Sequence, residues 1–140
     1  MMKKHILIID DDQDTLDIIK EVLFDAGYTV TTLTEIENII EVVAKYKPDL
    51  VILDFLLQGI NGGELCSQIK KNDRTHLTPV IMMSAHSRII GSFEIFGCDD
   101  FIEKPFDNCC LVEHVTHLLK RGKSRPRHMH YVKISTERNN

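Results

Sequence analysis

Along residues 1–119, short apolar runs alternate with longer stretches whose apolar residues recur at helical spacing. The runs at 5–10, 29–33, 49–53, 79–83 and 100–103 read as five strands, each bounded by polar or turn-forming residues. In the first intervening segment Leu16, Ile19, Val22, Leu23 and Ala26 share one helical face, and Gly27 stops the helix. Segments 35–45, 63–72, 87–96 and 107–120 supply four more helices. Regular strand–helix alternation implies a parallel sheet covered by helices. Three of the runs are apolar throughout rather than alternating, as strands buried on both faces are. The expected fold class is therefore α/β, a doubly wound parallel five-stranded sheet in a three-layer sandwich.

Composition narrows the class without changing it. A chain of 140 residues with 43% apolar and 27% charged residues can bury one ordinary core and leaves no room for a second sizeable domain. No apolar run approaches the roughly 20 residues of a membrane span, so no membrane association is expected. Lys3 and Lys4 are followed by too few apolar residues before Asp10 to form a secretory leader, which makes the cytoplasm the expected location. Cys66, Cys98, Cys109 and Cys110 are too sparse and uneven for a disulfide scaffold and read as reduced thiols.

The net charge of −4 conceals an asymmetry, because residues 1–119 carry −10 and residues 120–140 carry +6. The chain accordingly divides into a domain at 4–120 and a basic tail at 121–140, which is expected to be disordered. The tail has Tyr131 but no interleaved aromatic series and no recognition-helix pattern, so no direct nucleic-acid binding is expected.

In a doubly wound sheet the ligand site lies outside the carboxyl ends of the strands. Those positions hold Asp10, Asp11 and Asp12 after the first run, Asp54 after the third, Ser84 and Ala85 after the fourth, and Lys104 and Pro105 after the fifth. Three neighbouring carboxylates repel unless a hard cation lies among them, and Mg2+ suits such an oxygen site while keeping positions for waters and a phosphate oxygen. Lys104 adds a second positive charge, and the Ser84 hydroxyl can donate to a phosphate oxygen. These are the parts of a phosphoryl-transfer site, with Asp54 as a nucleophile that needs no deprotonation.

The stretches ILIIDDD, DLVILD, the Gly62 turn, PVIMMSA and DDFIEKPF, in that order, resemble the receiver domains of two-component response regulators. The resemblance covers residues 4 to about 120 and implies a flavodoxin-like (βα)5 fold with strand order 2-1-3-4-5. It further implies that Asp54 is the phosphoacceptor and that Asp11 ligates Mg2+ directly while Asp10 acts through water. The backbone carbonyl of Leu56 completes the implied protein ligands. Ser84 resembles the switch hydroxyl, Phe101 the rotating aromatic and Lys104 the phosphate-binding lysine, with a cis Lys104–Pro105 bond.

The implied function is to accept a phosphoryl group from a sensor histidine kinase or a histidine phosphotransfer protein. Phosphorylation would switch partner binding, or homodimer formation, at a face made by the fourth predicted helix, fifth predicted strand and fifth predicted helix. Such a chain assists its own Mg2+-dependent phosphorylation and dephosphorylation and is not otherwise an enzyme. Two features depart from the family pattern. Gln58 stands where proline is usual four residues after the phosphoaspartate, which should loosen the 54–62 loop, and Phe101 replaces the commoner tyrosine, so that burial alone must bias that switch.

Rival readings are a degenerate receiver serving only as an interaction module, and a phosphatase with an aspartyl-phosphate intermediate. The intact Asp11, Asp54 and Lys104 oppose the first, and Leu56 stands where the second wants a general acid. Asp10, Asp12, Asp14 and Glu21 imitate calcium-loop spacing, but Thr15 occupies the position that needs glycine. Cys110, His114 and His117 imitate a zinc site without a clear fourth ligand and read as the neutral polar flank of a helix.

Overall fold

The computed structural model describes residues 2–85 and 96–121. In chain order the elements are β1 (His5–Ile9), α1 (Gln13–Asp25), β2 (Thr29–Leu33), α2 (Ile39–Tyr46), β3 (Leu50–Asp54), β4 (Leu56–Leu57), β5 (Ile60–Asn61), α3 (Gly62–Lys71), β6 (Val80–Ser84), β7 (Asp100–Glu103) and α4 (Asn108–Arg121). The predicted helix at 87–96 lies outside the described residues except for Phe96, as does the tail from 122 onward.

Five strands form one parallel sheet in the order β2-β1-β3-β6-β7, which is the expected 2-1-3-4-5 once the two short strands β4 and β5 are set aside. Strand side chains alternate between faces. Leu7, Ile9, Val51, Leu53, Val80 and Met82 therefore meet Ile39 and Val43 of α2 and Leu65 and Ile69 of α3 on one side. On the other, Ile6, Ile8, Leu50, Ile52, Ile81 and Met83 meet Leu16, Ile19 and Leu23 of α1 and Leu111, Val115 and Leu118 of α4. The central strands β1, β3 and β6 are apolar because both faces are covered. No helix among the described residues is long and apolar enough to cross a membrane.

Local chemistry sets the boundaries. Asp12 caps α1 by accepting the Asp14 N–H, while Gly27 ends it with φ +101° and donates its N–H to Phe24 O. The second helix starts at Ile39 rather than 35, because the Asn38 side chain accepts the N–H groups of Ile40 and Glu41. Both β3 and β6 extend one residue beyond the predicted runs. Asp54 and Ser84 are consequently the last residues of their strands, in register with Met83 and Glu103.

The 54–62 loop folds as the antiparallel pair β4–β5, turning through Gly59 at φ +69°. Each of these strands has two residues, too few for any periodicity to announce them. Gly62 closes this loop against the end of β3, where an added Cβ would lie 2.1 Å from the Asp54 carbonyl oxygen and 2.9 Å from the Phe55 Cα. Both neighbours are backbone and cannot yield as a side-chain tip does. Gly62→Ala is expected to lower stability by about 1–3 kcal/mol, and a urea midpoint equal to that of the parent would contradict this packing.

Candidate functional site

The carboxyl ends of β1, β3, β6 and β7 bring together Asp10, Asp11, Asp54, Ser84 and Lys104. Asp10 is 1% exposed; its Oδ1 accepts the Asp12 N–H at 3.0 Å, and its Oδ2 accepts from Lys104 Nζ at 2.8 Å. The same ammonium lies 3.1 Å from Asp54 Oδ1. Asp10, Asp11 and Asp54 each offer a carboxylate oxygen, and these atoms all lie within 4.8 Å of one another. Among the described residues this is the one cluster of acidic, histidine or cysteine side chains with metal-binding spacing. Asp12 takes no part, since its carboxylate accepts from Thr15 Oγ1 and the Asp14 N–H at the head of α1.

Burial, reinforced by the charges of Asp10 and Asp11, pushes the Asp54 carboxyl up to about 6 even though Lys104 pulls it down. Burial opposes the charge on Lys104, but the hydrogen bond to Asp10 and the negative charge of Asp54 prevail and raise the ammonium above its usual value. Three carboxylates against one ammonium leave an excess of negative charge at a recessed rim of hard oxygen donors. A divalent cation fits both the charge and the donor type.

The remaining predicted residues surround this cluster. Ser84 is buried at the end of β6, where its backbone carbonyl accepts the Lys104 N–H at 2.8 Å and ties the two loops together. The Lys104–Pro105 bond is cis, as expected. Phe101 is 4% exposed and packed in the core on the α2–α3 side, which places its ring inward. Leu56 sits on β4 opposite Asn61, with its side chain 52% exposed.

The expected switching face is described only in β7 and α4, its other helix lying outside the described residues. There His114 does more than flank the helix: its Nδ1 lies 2.6 Å from Asp100 Oδ2, joining α4 to β7. The sequence carries no sign of this pair, because the partners are separated by a loop and two kinds of periodicity.

Two contributors carry little signal in the sequence. Asn61 caps α3 by accepting the Gly63 and Glu64 N–H groups and pairs with Leu56, so it holds the backbone that follows Asp54. Beside Lys104, a cavity of about 360 Å³ opens among Thr15, Ile18, Ala85, Pro105, Phe106 and Asn108. Ile18, 56% exposed, is legible only as an apolar residue off the buried stripe of α1.

Residues 6–116 match the response regulator receiver domain family. The chain is 35% identical over 124 residues to the phosphate regulon transcriptional regulatory protein PhoB of Pseudomonas aeruginosa, an alignment covering 86% of this chain and 54% of PhoB. It is 33% identical over 124 residues to the DNA-binding dual master transcriptional regulator RpaA of a Synechocystis species, covering 87% of this chain and 52% of RpaA. The chain thus spans about half the length of these curated relatives. The crystal structure of a CheY-like response regulator receiver domain protein from Methanospirillum hungatei superposes with a TM-score of 0.73 at 28% identity, covering 86% of this chain and 96% of that one.

Proposed function

The chain belongs to the response regulator receiver domain family, and from that premise we propose that Asp54 accepts a phosphoryl group from a partner's phosphohistidine, with Mg2+ at the Asp10–Asp11–Asp54 cluster. The observation that carries this reading is the position of Lys104 Nζ, within 2.8 Å of Asp10 and 3.1 Å of Asp54 in a three-carboxylate rim. An Asp54 carboxylate oxygen attacks phosphorus, the bond to the imidazole nitrogen breaks, and an acyl phosphate remains on Asp54. No base is needed because the nucleophile is already an anion. Bound Mg2+ supplies Lewis-acid neutralisation of the phosphoryl oxygens. Asp10, Asp11 and Asp54, with the Leu56 carbonyl, would hold the cation; Lys104 moves from bridging two carboxylates to pairing with the phosphoryl group; Ser84 donates its hydroxyl to it.

The consequence is a two-state switch in which Ser84 follows the phosphoryl group and Phe101 changes burial. Partner or self-association at the face containing β7 and α4 reads the change. The donor is a sensor histidine kinase or a histidine phosphotransfer protein, and the apolar groove of Ile18, Pro105 and Phe106 beside Lys104 gives it a seat next to the rim. The chain assists its own phosphorylation and dephosphorylation and acts on no other substrate. Its domain does not itself contact nucleic acid, a reading supported by the −10 charge of residues 1–119.

Acetyl phosphate with Mg2+ is expected to add one phosphoryl group, seen in the intact mass, and chelation should abolish the addition. No addition, or addition undiminished by chelator, would overturn the assignment.

The lifetime of the phosphoform follows from the loop geometry. Hydrolysis needs a water in line with phosphorus. The exposed leucine at 56 offers it bulk and no hydrogen bond, and His86, outside the described residues, stands two positions after Ser84. Leu56→Asn with His86→Ala is expected to speed phosphate loss roughly tenfold, equivalent to about 1.4 kcal/mol of barrier. Decay at the parental rate would refute shielding, and slower decay would mark His86 as a base that positions the water.

A further inference from the structure

Away from the carboxylate rim, two nucleophilic side chains stand in contact inside the core. Cys98 Sγ donates to Cys66 Sγ at 3.0 Å, and the two residues are 1% and 0% exposed. Cys66 lies on the core face of α3, and Cys98 lies in the segment leading into β7, within the apolar cluster that also contains Phe101. Neither is in a disulfide.

Neighbouring residues hold the two sulfurs together. Lys70, one helical turn after Cys66, pairs through Nζ with the carboxylate of Asp99, the residue after Cys98, and donates to Thr78 O at 2.7 Å. Asp99 also accepts the Val80 N–H at 2.8 Å, fixing the lead-in to β7 against the start of β6. An ion pair between half-buried Lys70 and buried Asp99 thus clamps the two segments beside the thiols, so the sulfurs meet without ordering flexible chain.

We propose that Cys66 and Cys98 form a two-electron redox site that a hydroperoxide oxidises to a disulfide joining α3 to the segment before β7. Cys66 Sγ accepts the hydrogen bond from Cys98, whereas that bond and burial push the Cys98 thiol well above the usual range. Cys66 is therefore the attacking sulfur. Its sulfur attacks one oxygen of hydrogen peroxide, the O–O bond breaks, and the departing hydroxide takes the Cys66 thiol proton, so that a sulfenic acid and water result. The Cys98 sulfur then attacks the sulfenic sulfur; the S–S bond forms, the S–O bond breaks, and the departing hydroxide leaves as water with the thiol proton. Two thiols and one peroxide become one disulfide and two waters. Burial slows entry and excludes bulky disulfide oxidants, while peroxide is little larger than water. The bond would tether the strand that carries Phe101 to α3.

The test uses the full chain carrying Cys109→Ser and Cys110→Ser, which leaves only the buried pair. Native protein is treated with hydrogen peroxide, then denatured, alkylated and weighed. Both thiols are expected to disappear together with a mass loss of two hydrogen atoms, to yield a linked peptide pair containing Cys66 and Cys98, and to return with a thiol reductant. Adding Cys98→Ala should leave a sulfenic acid at Cys66 that a cyclic diketone traps. The proposal is overturned if oxygen adds to either sulfur of the pair without cross-linking. It also fails if both thiols survive a peroxide dose that fully oxidises the denatured chain.

Discussion

Asp54→Asn is expected to take up no phosphoryl group from acetyl phosphate and, with chelator present at pH 7, to be more stable than the parent by about 1–2 kcal/mol. The first effect follows from replacing an anionic nucleophile by a neutral amide of the same shape. The second follows from the rim itself, where burial and the charges of Asp10 and Asp11 push the Asp54 carboxyl up to about 6 from an ordinary 3.8. A carboxyl raised in the folded state favours folding when protonated. That contribution is present below about 4 and lost as pH rises through 6, so at neutral pH the ionised group opposes folding. The advantage of the asparagine variant should accordingly shrink as pH falls from 6 towards 4. Urea midpoints across this range measure it, and a variant less stable than the parent at pH 7 would show that Lys104 outweighs the repulsion.

Lys104→Ala should have the opposite sign. Among the described residues it removes the only ammonium paired with Asp10, which is 1% exposed, and leaves that carboxylate facing Asp54 and Asp11. Breaking such a pair typically costs about 3–5 kcal/mol, and the partly open position of Lys104 favours the lower end. Mg2+ should recover part of the loss by restoring positive charge to the rim, giving the variant a larger metal-induced rise in urea midpoint than the parent. The variant should still label at Asp54, because the nucleophile and the carboxylates remain. Its phosphoform should lack the spectral shifts around Ser84 and Phe101, since the ammonium that pairs with the phosphoryl group is gone. Parental shifts in phosphorylated Lys104→Ala would refute that role.

Much of this molecule is legible in its amino-acid sequence. Five apolar runs separated by helical periodicity imply the doubly wound sheet, because a strand covered on both faces has no polar side to show. The rim follows from the same logic: chain connectivity places the residues after each parallel strand at one edge, so Asp10, Asp11, Asp54, Ser84 and Lys104 are brought together by topology alone. Gly27 is likewise readable, since a helix stop depends on residues a few positions apart.

The tertiary structure decided whatever depended on distance between segments. Which carboxylates Lys104 bridges, and hence the upward push on Asp54, depends on burial and on atoms 50 and 94 positions away. The β4–β5 ladder is too short to carry a pattern, and the need for glycine at 62 arises only because α3 starts against the Asp54 carbonyl. The His114–Asp100 pair and the Cys66–Cys98 contact belong to the same class. Each joins residues whose own neighbourhoods are ordinary, and a linear pattern records the local preferences of the backbone, whereas such contacts are set by how finished elements pack.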